Sequence, residues 1–329
     1  MAEVATRITT PALTVEPIIR EKLRSLSPAN RTIFDPEKHL SFVHEPEVLS
    51  LEDLDLPKDS GISPVAVSQP FPLFNEDAIR NMREEILTHE VWDNCLHSTE
   101  FAGCQLRGHC PKYAPFMHQA WKDPKTLSII SKIAGIDLVP VMDLEIGNIN
   151  VSVTNSTSGT GNISEAGDEI PVTKWHYDSY PFVCVVMMSD ASAMVGGETA
   201  IKTGSGEILK VRGPQMGCAV VLQGRCISHQ ALAALGGAER ITMVTAFRPR
   251  DALVPDSSVL TTIRPISDPS QLYFQWTEYR VAVLQERLRI MLEALRNEHR
   301  ANKPTNVQQI KELLQEQENW LASTNSEIH

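Results

Sequence analysis

Two histidines and one aspartate near the middle of the chain have the residue types that bind a metal ion. His176 and Asp178 lie two positions apart in KWHYDSYPF, and His229 follows 51 residues after Asp178 in GRCISHQAL. Side chains alternate along an extended strand, so positions 176 and 178 project to the same side of it. Two histidines and one carboxylate on one face are a ligand set for non-haem Fe(II), which leaves coordination positions open for other molecules.

An arginine and a threonine follow His229 in ALAALGGAERITMVTAFRPR. Gly236–Gly237 could turn one strand back on the next, which would place His229 opposite Val244. In that register Arg240 and Thr242 share the face of His229, whereas a turn one residue longer or shorter would reverse this parity. An arginine inside a barrel needs an anionic partner, and its planar fork suits a carboxylate, to which a threonine hydroxyl adds a hydrogen bond.

The order of these residues resembles the Fe(II)/2-oxoglutarate-dependent dioxygenases, whose pattern is HxD, a distant histidine and an arginine shortly after it. The pattern is filled here by His176, Asp178, His229, Arg240 and, where the family's Arg-x-Ser variant has serine, Thr242. The resemblance covers residues 120 to 250 and implies a double-stranded β-helix, the jelly-roll fold also found in cupins. It further implies that the triad binds Fe(II) and that Arg240 and Thr242 bind the distal carboxylate of 2-oxoglutarate.

The reaction implied by this resemblance is the oxidation of an unactivated C–H bond of a small molecule, with O2 and 2-oxoglutarate consumed and succinate and CO2 released. The chain is also similar to fungal small-molecule oxygenases of secondary metabolism. That similarity favours a free amino acid such as valine as the substrate, hydroxylated or closed to an aziridine. Polyketide, terpenoid and alkaloid substrates are alternatives within the class. A cupin-type metalloenzyme that does not use 2-oxoglutarate, or a jelly-roll binding module without iron, are alternatives outside it.

Residues close in sequence to the predicted ligands are candidates for lining a substrate pocket. The candidate substrate-binding residues are Asn150, Tyr180, Phe182, Phe247 and Arg107. Arg107, with the nearby His109, could recognise an anionic group, although core packing is the ordinary role of the aromatic residues and surface exposure that of arginine. The polar segment 154–169, rich in Gly and Ser, is a candidate lid over the pocket.

The elements that position these residues follow from the hydrophobic pattern. Short apolar and β-branched runs alternate with glycine-rich turns between residues 139 and 249, which predicts a mainly β core, a sandwich or barrel with flanking helices. No helix-length segment separates these runs, so a doubly wound α/β fold is disfavoured. Two helices are predicted before the core, one capped by Asn75 and one that begins at Asp123–Pro124 and ends at Gly135.

Three regions are predicted along the chain. Residues 1–72, rich in proline and charge, are expected to form an arm of short helices and turns packed on the core. Residues 73–267 are expected to form the jelly-roll oxygenase core with its leading helices, and residues 268–329 two amphipathic helices. Packing of these last helices on the barrel is the favoured prediction, and a homodimer formed through them is the alternative.

The composition narrows the classes of partner. The 30 Lys and Arg against 41 Asp and Glu give a net charge of −11, and no basic block occurs, which argues against a nucleic-acid partner. No apolar run approaches the roughly 20 residues of a membrane helix. The six cysteines form no CxxC pair, and a zinc site around Cys104, His109 and Cys110 lacks a second ligand pair. A cytoplasmic protein with reduced cysteines is therefore expected.

Overall fold

A computed structural model describes residues 19–23, 32–97, 104–153, 173–211, 215–232, 234–235 and 239–329. Within these ranges, no helix combines the length and the apolar composition that are needed to cross a membrane. The α-helices are α1 (Pro36–His39), α2 (Glu76–Ile86), α3 (His89–Cys95), α4 (Pro115–Lys122), α5 (Pro124–Ala134), α6 (Pro269–Arg300) and α7 (Val307–Ser326). Short 3-10 helices cover Glu52–Leu54, Asp143–Glu145 and Arg264–Ile266.

The strands are short, as the glycine-rich punctuation of the sequence predicts. They are β1 (Val48–Ser50), β2 (Val65–Ser68), β3 (Phe71–Pro72), β4 (Leu96–His97), β5 (Gln105–Leu106), β6 (Leu138–Pro140), β7 (Asn148–Val153), β8 (Phe182–Met187), β9 (Val195–Gly196), β10 (Thr199–Lys202), β11 (Ile208–Val211), β12 (Cys218–Leu222), β13 (His229–Ala231), β14 (Ala234–Leu235) and β15 (Glu239–Pro249).

The described strands form a large antiparallel sheet, a smaller three-stranded one, and a two-stranded one of β9 and β14. The large sheet runs β1-β2-β12-β8-β15-β7-β5-β4, and the smaller runs β11-β10-β13, to which the segment at His176 adds through its pairing with β13. From β7 onward the chain passes from the large sheet to the small one and back: β7, the His176 segment, β8, then β10 and β11, then β12, β13 and β15. This alternation between two sheets is the double-stranded β-helix, so the predicted jelly-roll fold is confirmed.

The predicted hairpin between His229 and Val244 is wrong. β13 pairs with β10 in the small sheet, whereas β15 pairs with β7 and β8 in the large sheet, where Val244 lies opposite Asn148 and Val185. The physical reason is that consecutive strands of this fold belong to different sheets and therefore cannot pair as a hairpin. Gly236–Gly237 lies outside the described residues.

Part of the predicted N-terminal arm belongs to the sheet. β1 pairs with β2, and β2 and β3 pair with β12, with Val67 opposite Leu222 and Phe71 opposite Ala219. Residues 48–72 therefore contain strands that extend the large sheet, and the helix α1 (Pro36–His39) precedes them. The stretches 1–18 and 24–31 of the predicted arm lie outside the described residues.

Helices α2, α4 and α5 cover the outer face of the large sheet, where their apolar residues share one core with β8 and β15. The predicted ends of two of them are confirmed. The Asn75 side chain accepts a hydrogen bond from the Ala78 backbone N–H, and Asp123 accepts from the backbone N–H groups of Lys125 and Thr126. Gly135 ends α5 in the left-handed conformation at a φ of 68°.

The predicted C-terminal helices are α6 and α7, and a buried arginine joins them. The Arg280 guanidinium lies 3.2 Å above the Trp320 ring, and its Nε donates to Thr324 Oγ1 at 2.9 Å. The Trp320 indole N–H in turn donates to the Arg280 carbonyl at 3.0 Å. The apolar residues of α6, Trp320 and residues of both sheets form a second core, so these helices pack on the barrel, as favoured from the sequence.

We expect Trp320→Ala to lower the free energy of unfolding by about 3–5 kcal/mol, because it removes a large buried side chain and leaves the Arg280 guanidinium without its covering ring. Leu321→Ala is the matched control, since the neighbouring side chain is 50% exposed and its loss should change the stability by about 0.5 kcal/mol or less. Urea denaturation followed by circular dichroism measures both. Equal effects of the two variants would contradict the role assigned to Trp320.

Candidate metal centre and pocket

Backbone pairing places the two histidines side by side. The His176 N–H donates to the His229 carbonyl and the His229 N–H to the His176 carbonyl, each at 3.0 Å. The Asp178 N–H donates to the Gly224 carbonyl at 2.9 Å, which fixes the third residue against the turn that follows β12. Positions 176 and 178 face the same side, as the alternation in the sequence predicts.

The side chains of this triad converge. One ligand atom from each of His176, Asp178 and His229 lies within 4.8 Å of the other two. Asp178 Oδ1 is 3.7 Å from His176 Nε2 and 3.6 Å from His229 Nε2. These separations allow the three atoms to bind one ion, and within the described residues no other cluster of this kind is found.

Hydrogen bonds to backbone carbonyls fix the orientation of both imidazole rings. His176 Nδ1 lies 2.9 Å from the Lys174 carbonyl, and His229 Nδ1 lies 3.0 Å from the Ile227 carbonyl. A carbonyl oxygen can only accept, so each Nδ1 carries a proton and each Nε2 is the nitrogen left to bind a metal. Burial, and then the neighbouring His229, lower the pKa of His176, which favours the neutral ring that a metal requires.

The carboxylate has a free oxygen and little room behind it. Asp178 Oδ2 is buried and has no hydrogen-bond partner among the described residues, a rare condition for a carboxylate oxygen. Gly224 lies directly against this group, so that a Cβ at position 224 would overlap Asp178 Oδ2. The absence of a side chain there lets the carboxylate reach its position in the triad.

The triad opens into a cavity of about 540 Å³ between the two sheets. Arg240 and Thr242 of β15 line the same cavity, although the register that predicted this was wrong. Arg240 Nη2 donates to the Gly197 carbonyl at 3.2 Å, and its buried Nε has no partner in the described part of the chain. Burial lowers the pKa of Arg240, and the Glu198 carboxylate opposes this shift.

Three of the five predicted substrate residues line the cavity: Arg107, Asn150 and Tyr180. Arg107 is not on the surface, since only 6% of it is exposed and it forms an ion pair with the equally buried Glu145. The prediction that Phe182 and Phe247 line the pocket is wrong, because both are fully buried in the core on the outer face of the large sheet. They lie opposite each other on β8 and β15, one residue out of phase with the cavity-facing side chains.

Several residues that line the cavity were not predicted from the sequence. They include Gln105, Glu145, Asn148, Ser152, residues 261–263, Pro265 and Ile266. A signal for part of this set is present, since NINVSV alternates polar and apolar residues and so presents Asn148, Asn150 and Ser152 on one face. At the other end of the pocket, Ser179 Oγ lies 2.6 Å from Thr262 Oγ1, and Arg264 Nη2 donates to Glu327 Oε2 at 2.9 Å.

The other chemical candidates do not form a site in the described residues. His109 is fully buried with Nε2 3.4 Å from Met117 Sδ, and burial lowers its pKa to about 4. Cys104, His109 and Cys110 form no metal-binding group in the described ranges, and no disulfide joins the cysteines there. The candidate lid at 154–169 lies outside the described residues.

No protein-family profile matches the chain, and no curated protein sequence does. Among solved structures, the chain is similar to SnoN, an alpha-ketoglutarate-dependent epimerase from nogalamycin biosynthesis, with 14% identity, a TM-score of 0.42, and 66% of this chain and 88% of that chain covered. A Pseudomonas putida prolyl-4-hydroxylase shows 16% identity and a TM-score of 0.36, with 53% of this chain and 87% of that chain covered. HygX from Streptomyces hygroscopicus, crystallised with nickel, 2-oxoglutarate and hygromycin B, shows 14% identity and a TM-score of 0.36, with 56% of this chain and 83% of that chain covered. At such identities and scores these similarities add no argument about reaction or substrate.

We expect Gly224→Ala to weaken Fe(II) or Co(II) binding about 10- to 100-fold, because the new methyl group displaces the Asp178 carboxylate from the triad. Gly61→Ala is the matched control, since its Cβ would crowd the side chain of Gln223, the residue before Gly224, without touching Asp178. Anaerobic metal titration by calorimetry measures both, with circular dichroism as the check on folding. Unchanged metal affinity in folded Gly224→Ala would contradict this role of the glycine.

Proposed function

We propose that the protein is a non-haem Fe(II)/2-oxoglutarate-dependent dioxygenase that oxidises a C–H bond of a small molecule. The observation that carries this proposal is a convergent His176, Asp178 and His229 triad whose ligand atoms lie within 4.8 Å of one another, in one cavity with a buried arginine. Bound iron and 2-oxoglutarate would supply the oxidising chemistry, in which O2 is consumed and succinate and CO2 are released.

The residues of the triad fit the metal. In both imidazoles a backbone carbonyl accepts from Nδ1–H, which leaves Nε2 as the nitrogen that can bind a metal. Asp178 adds the one negative charge, and its oxygens lie on the same side as the two Nε2 atoms. Two nitrogens and one carboxylate oxygen on one face leave room for further ligands on the opposite face, as non-haem Fe(II) oxygenases require.

Arg240 and Thr242 are the proposed binding residues for the distal carboxylate of 2-oxoglutarate. The unpaired Nε of Arg240 can donate a charge-assisted hydrogen bond to a carboxylate oxygen, and the Thr242 hydroxyl, two residues along the same face of β15, can donate another. The apolar side chain of Met187 lies opposite Thr242 on β8 and lines the same end of the cavity. A poorly solvated guanidinium attracts a carboxylate more strongly than one in bulk water.

The proposed substrate is a free amino acid such as valine, converted by hydroxylation or by closure to an aziridine in secondary metabolism. A cavity of about 540 Å³ supports a small molecule beside the co-substrate. The buried Arg107 and the polar Asn150 support a substrate with a charged or polar group. Polyketide, terpenoid and alkaloid substrates are the alternatives within the same reaction class.

The test is an anaerobic titration of metal-free protein with Fe(II) and then 2-oxoglutarate, with the visible charge-transfer absorption of the chelate as the readout. We expect the band in the wild-type protein and its loss in His176→Ala. Arg240→Gln should weaken 2-oxoglutarate binding roughly 10- to 100-fold, because it removes charge-assisted hydrogen bonds of about 1.5–3 kcal/mol. Arg250→Gln is the control, since Arg250 pairs with Asp137 on the surface and should leave the titration unchanged.

The contrary outcomes separate the alternatives. Iron binding without the band would contradict the use of 2-oxoglutarate and favour a cupin-type metalloenzyme. Failure to bind iron would contradict the triad and leave a jelly-roll binding module. Both outcomes are independent of the substrate, because the titration requires none.

A further inference from the structure

A buried polar cluster lies on the cavity wall formed by β5, β7 and the 3-10 turn before β7. Its members are Gln105, Arg107, Glu145, Asn148 and Asn150, and all of them line the cavity. Arg107, Glu145 and Asn148 are each more than nine-tenths buried. None of them belongs to the metal triad or to the proposed 2-oxoglutarate site.

Part of the hydrogen-bonding capacity of the cluster is used internally. Arg107 Nη2 donates to Glu145 Oε1 at 2.5 Å, and Asn148 Nδ2 donates to Glu145 Oε2 at 3.0 Å. Gln105 Nε2 donates to Asn150 Oδ1 at 2.6 Å. Burial raises the pKa of Glu145, and the Arg107 guanidinium opposes this shift.

Three polar atoms of the cluster have no hydrogen-bond partner within the described ranges. They are one donor, Arg107 Nε, and two acceptors, Asn148 Oδ1 and Gln105 Oε1. The two amide orientations are set by the bonds that their NH₂ groups already make to Glu145 and Asn150, which leaves their oxygens free. Buried polar groups without partners are rare in native proteins, so three of them on one pocket wall point to a ligand that supplies the missing bonds.

The Asn148 end of the cluster is separate from the Arg240 end of the cavity. Arg240 lies opposite Ser152 on the neighbouring strand, whereas Val244, four residues along β15, lies opposite Asn148. Four residues of strand are on the order of 13 Å. Asn150 lies opposite Thr242 and pairs with Gln105, so these two residues border the proposed co-substrate site. A dicarboxylate held by Arg240 therefore leaves the Asn148 end of the cluster to a second molecule.

We propose that this cluster is the substrate subsite and that it takes a small zwitterion with a carboxylate, an ammonium group and an aliphatic body. The carboxylate would accept from Arg107 Nε, and the ammonium group would donate to Asn148 Oδ1 and Gln105 Oε1. The inference rests on the proposed function and adds to it the polar groups that would recognise each end of the substrate.

The charges favour a zwitterion over a simple anion or a simple cation. Arg107 and Glu145 form a pair with no net charge, so a ligand with a single charge would leave that charge uncompensated in a buried site. A zwitterion adds no net charge and still forms charge-assisted hydrogen bonds at both of its ends. The cavity-facing Val183, Val185 and Ala246 provide apolar contacts for an aliphatic body.

The experiment measures binding of L-alanine, L-valine and L-leucine to the metal-free protein by calorimetry, and to the anaerobic Fe(II)–2-oxoglutarate complex by the change in its visible absorption. Two probes with the body of valine test each end separately. 3-Methylbutanoate lacks the ammonium group, and isobutylamine lacks the carboxylate. We expect at least one of the amino acids to bind, and each valine-derived probe to bind at least tenfold more weakly than L-valine.

Two variants locate the binding. Arg107→Met combined with Glu145→Met removes both partners of the buried pair together, so that no lone charge remains, and should weaken amino-acid binding at least tenfold. Gln105→Leu, at a partly buried position, should weaken it without disturbing the pair. Both variants should leave the Fe(II)–2-oxoglutarate band unchanged, which distinguishes loss of the subsite from loss of the metal centre.

The outcomes that overturn the inference are specific. Equal binding of L-valine and either probe would exclude recognition of a zwitterion, and unchanged amino-acid binding in both folded variants would exclude this cluster as the subsite. Absence of binding by all three amino acids to a complex that shows the band would also overturn it. If the band itself does not form, the proposed function fails, and binding to the metal-free protein still tests the subsite.

Discussion

The arrangement of the site depends on one pair of backbone hydrogen bonds, the reciprocal bonds between residues 176 and 229. They join segments more than fifty residues apart in the chain and place two imidazole rings with centroids 4.4 Å apart. β13 is itself held by β10, with His229 opposite Ile201. The geometry of the proposed metal centre is therefore a property of the small sheet as a unit, since a shift of one residue in this pairing would turn a histidine away from the cavity.

The large sheet contributes in a different way, by separating two environments along each strand. On β15 the even-numbered residues from Arg240 to Ala246 face the cavity, whereas Ile241, Met243 and Phe247 pack against the helices on the outer face. β7 and β8 follow the same rule. The helices thus stabilise the large sheet from its outer face, so that its cavity face can carry unpaired polar groups. The core between the helices and the sheet contains none of the proposed site residues.

The sequence was informative where the determining interactions are local. The HxD spacing, the Asn75 and Asp123 caps and Gly135 each act within a few residues, and the structure agrees with each. Predictions that required knowledge of distant partners were less successful. The pairing of His229 with Val244 was wrong because the strands belong to different sheets, and Phe182 and Phe247 were placed in the pocket because closeness in sequence does not determine the face of a strand. Arg107 was expected on the surface, since Glu145, its partner, is 38 positions away.

The contacts at the far end of the pocket connect its wall to the C-terminal end of α7. Thr262 meets Ser179, next to the triad, and Arg264 in the same cavity-lining segment holds Glu327, which is the residue after α7. A molecule that fills the cavity therefore contacts a segment whose position is tied to the end of that helix. Because ligand binding stabilises whatever conformation it requires, occupancy of the pocket and docking of α7 are thermodynamically linked. Each stabilises the other, although the helix itself never reaches the ligand.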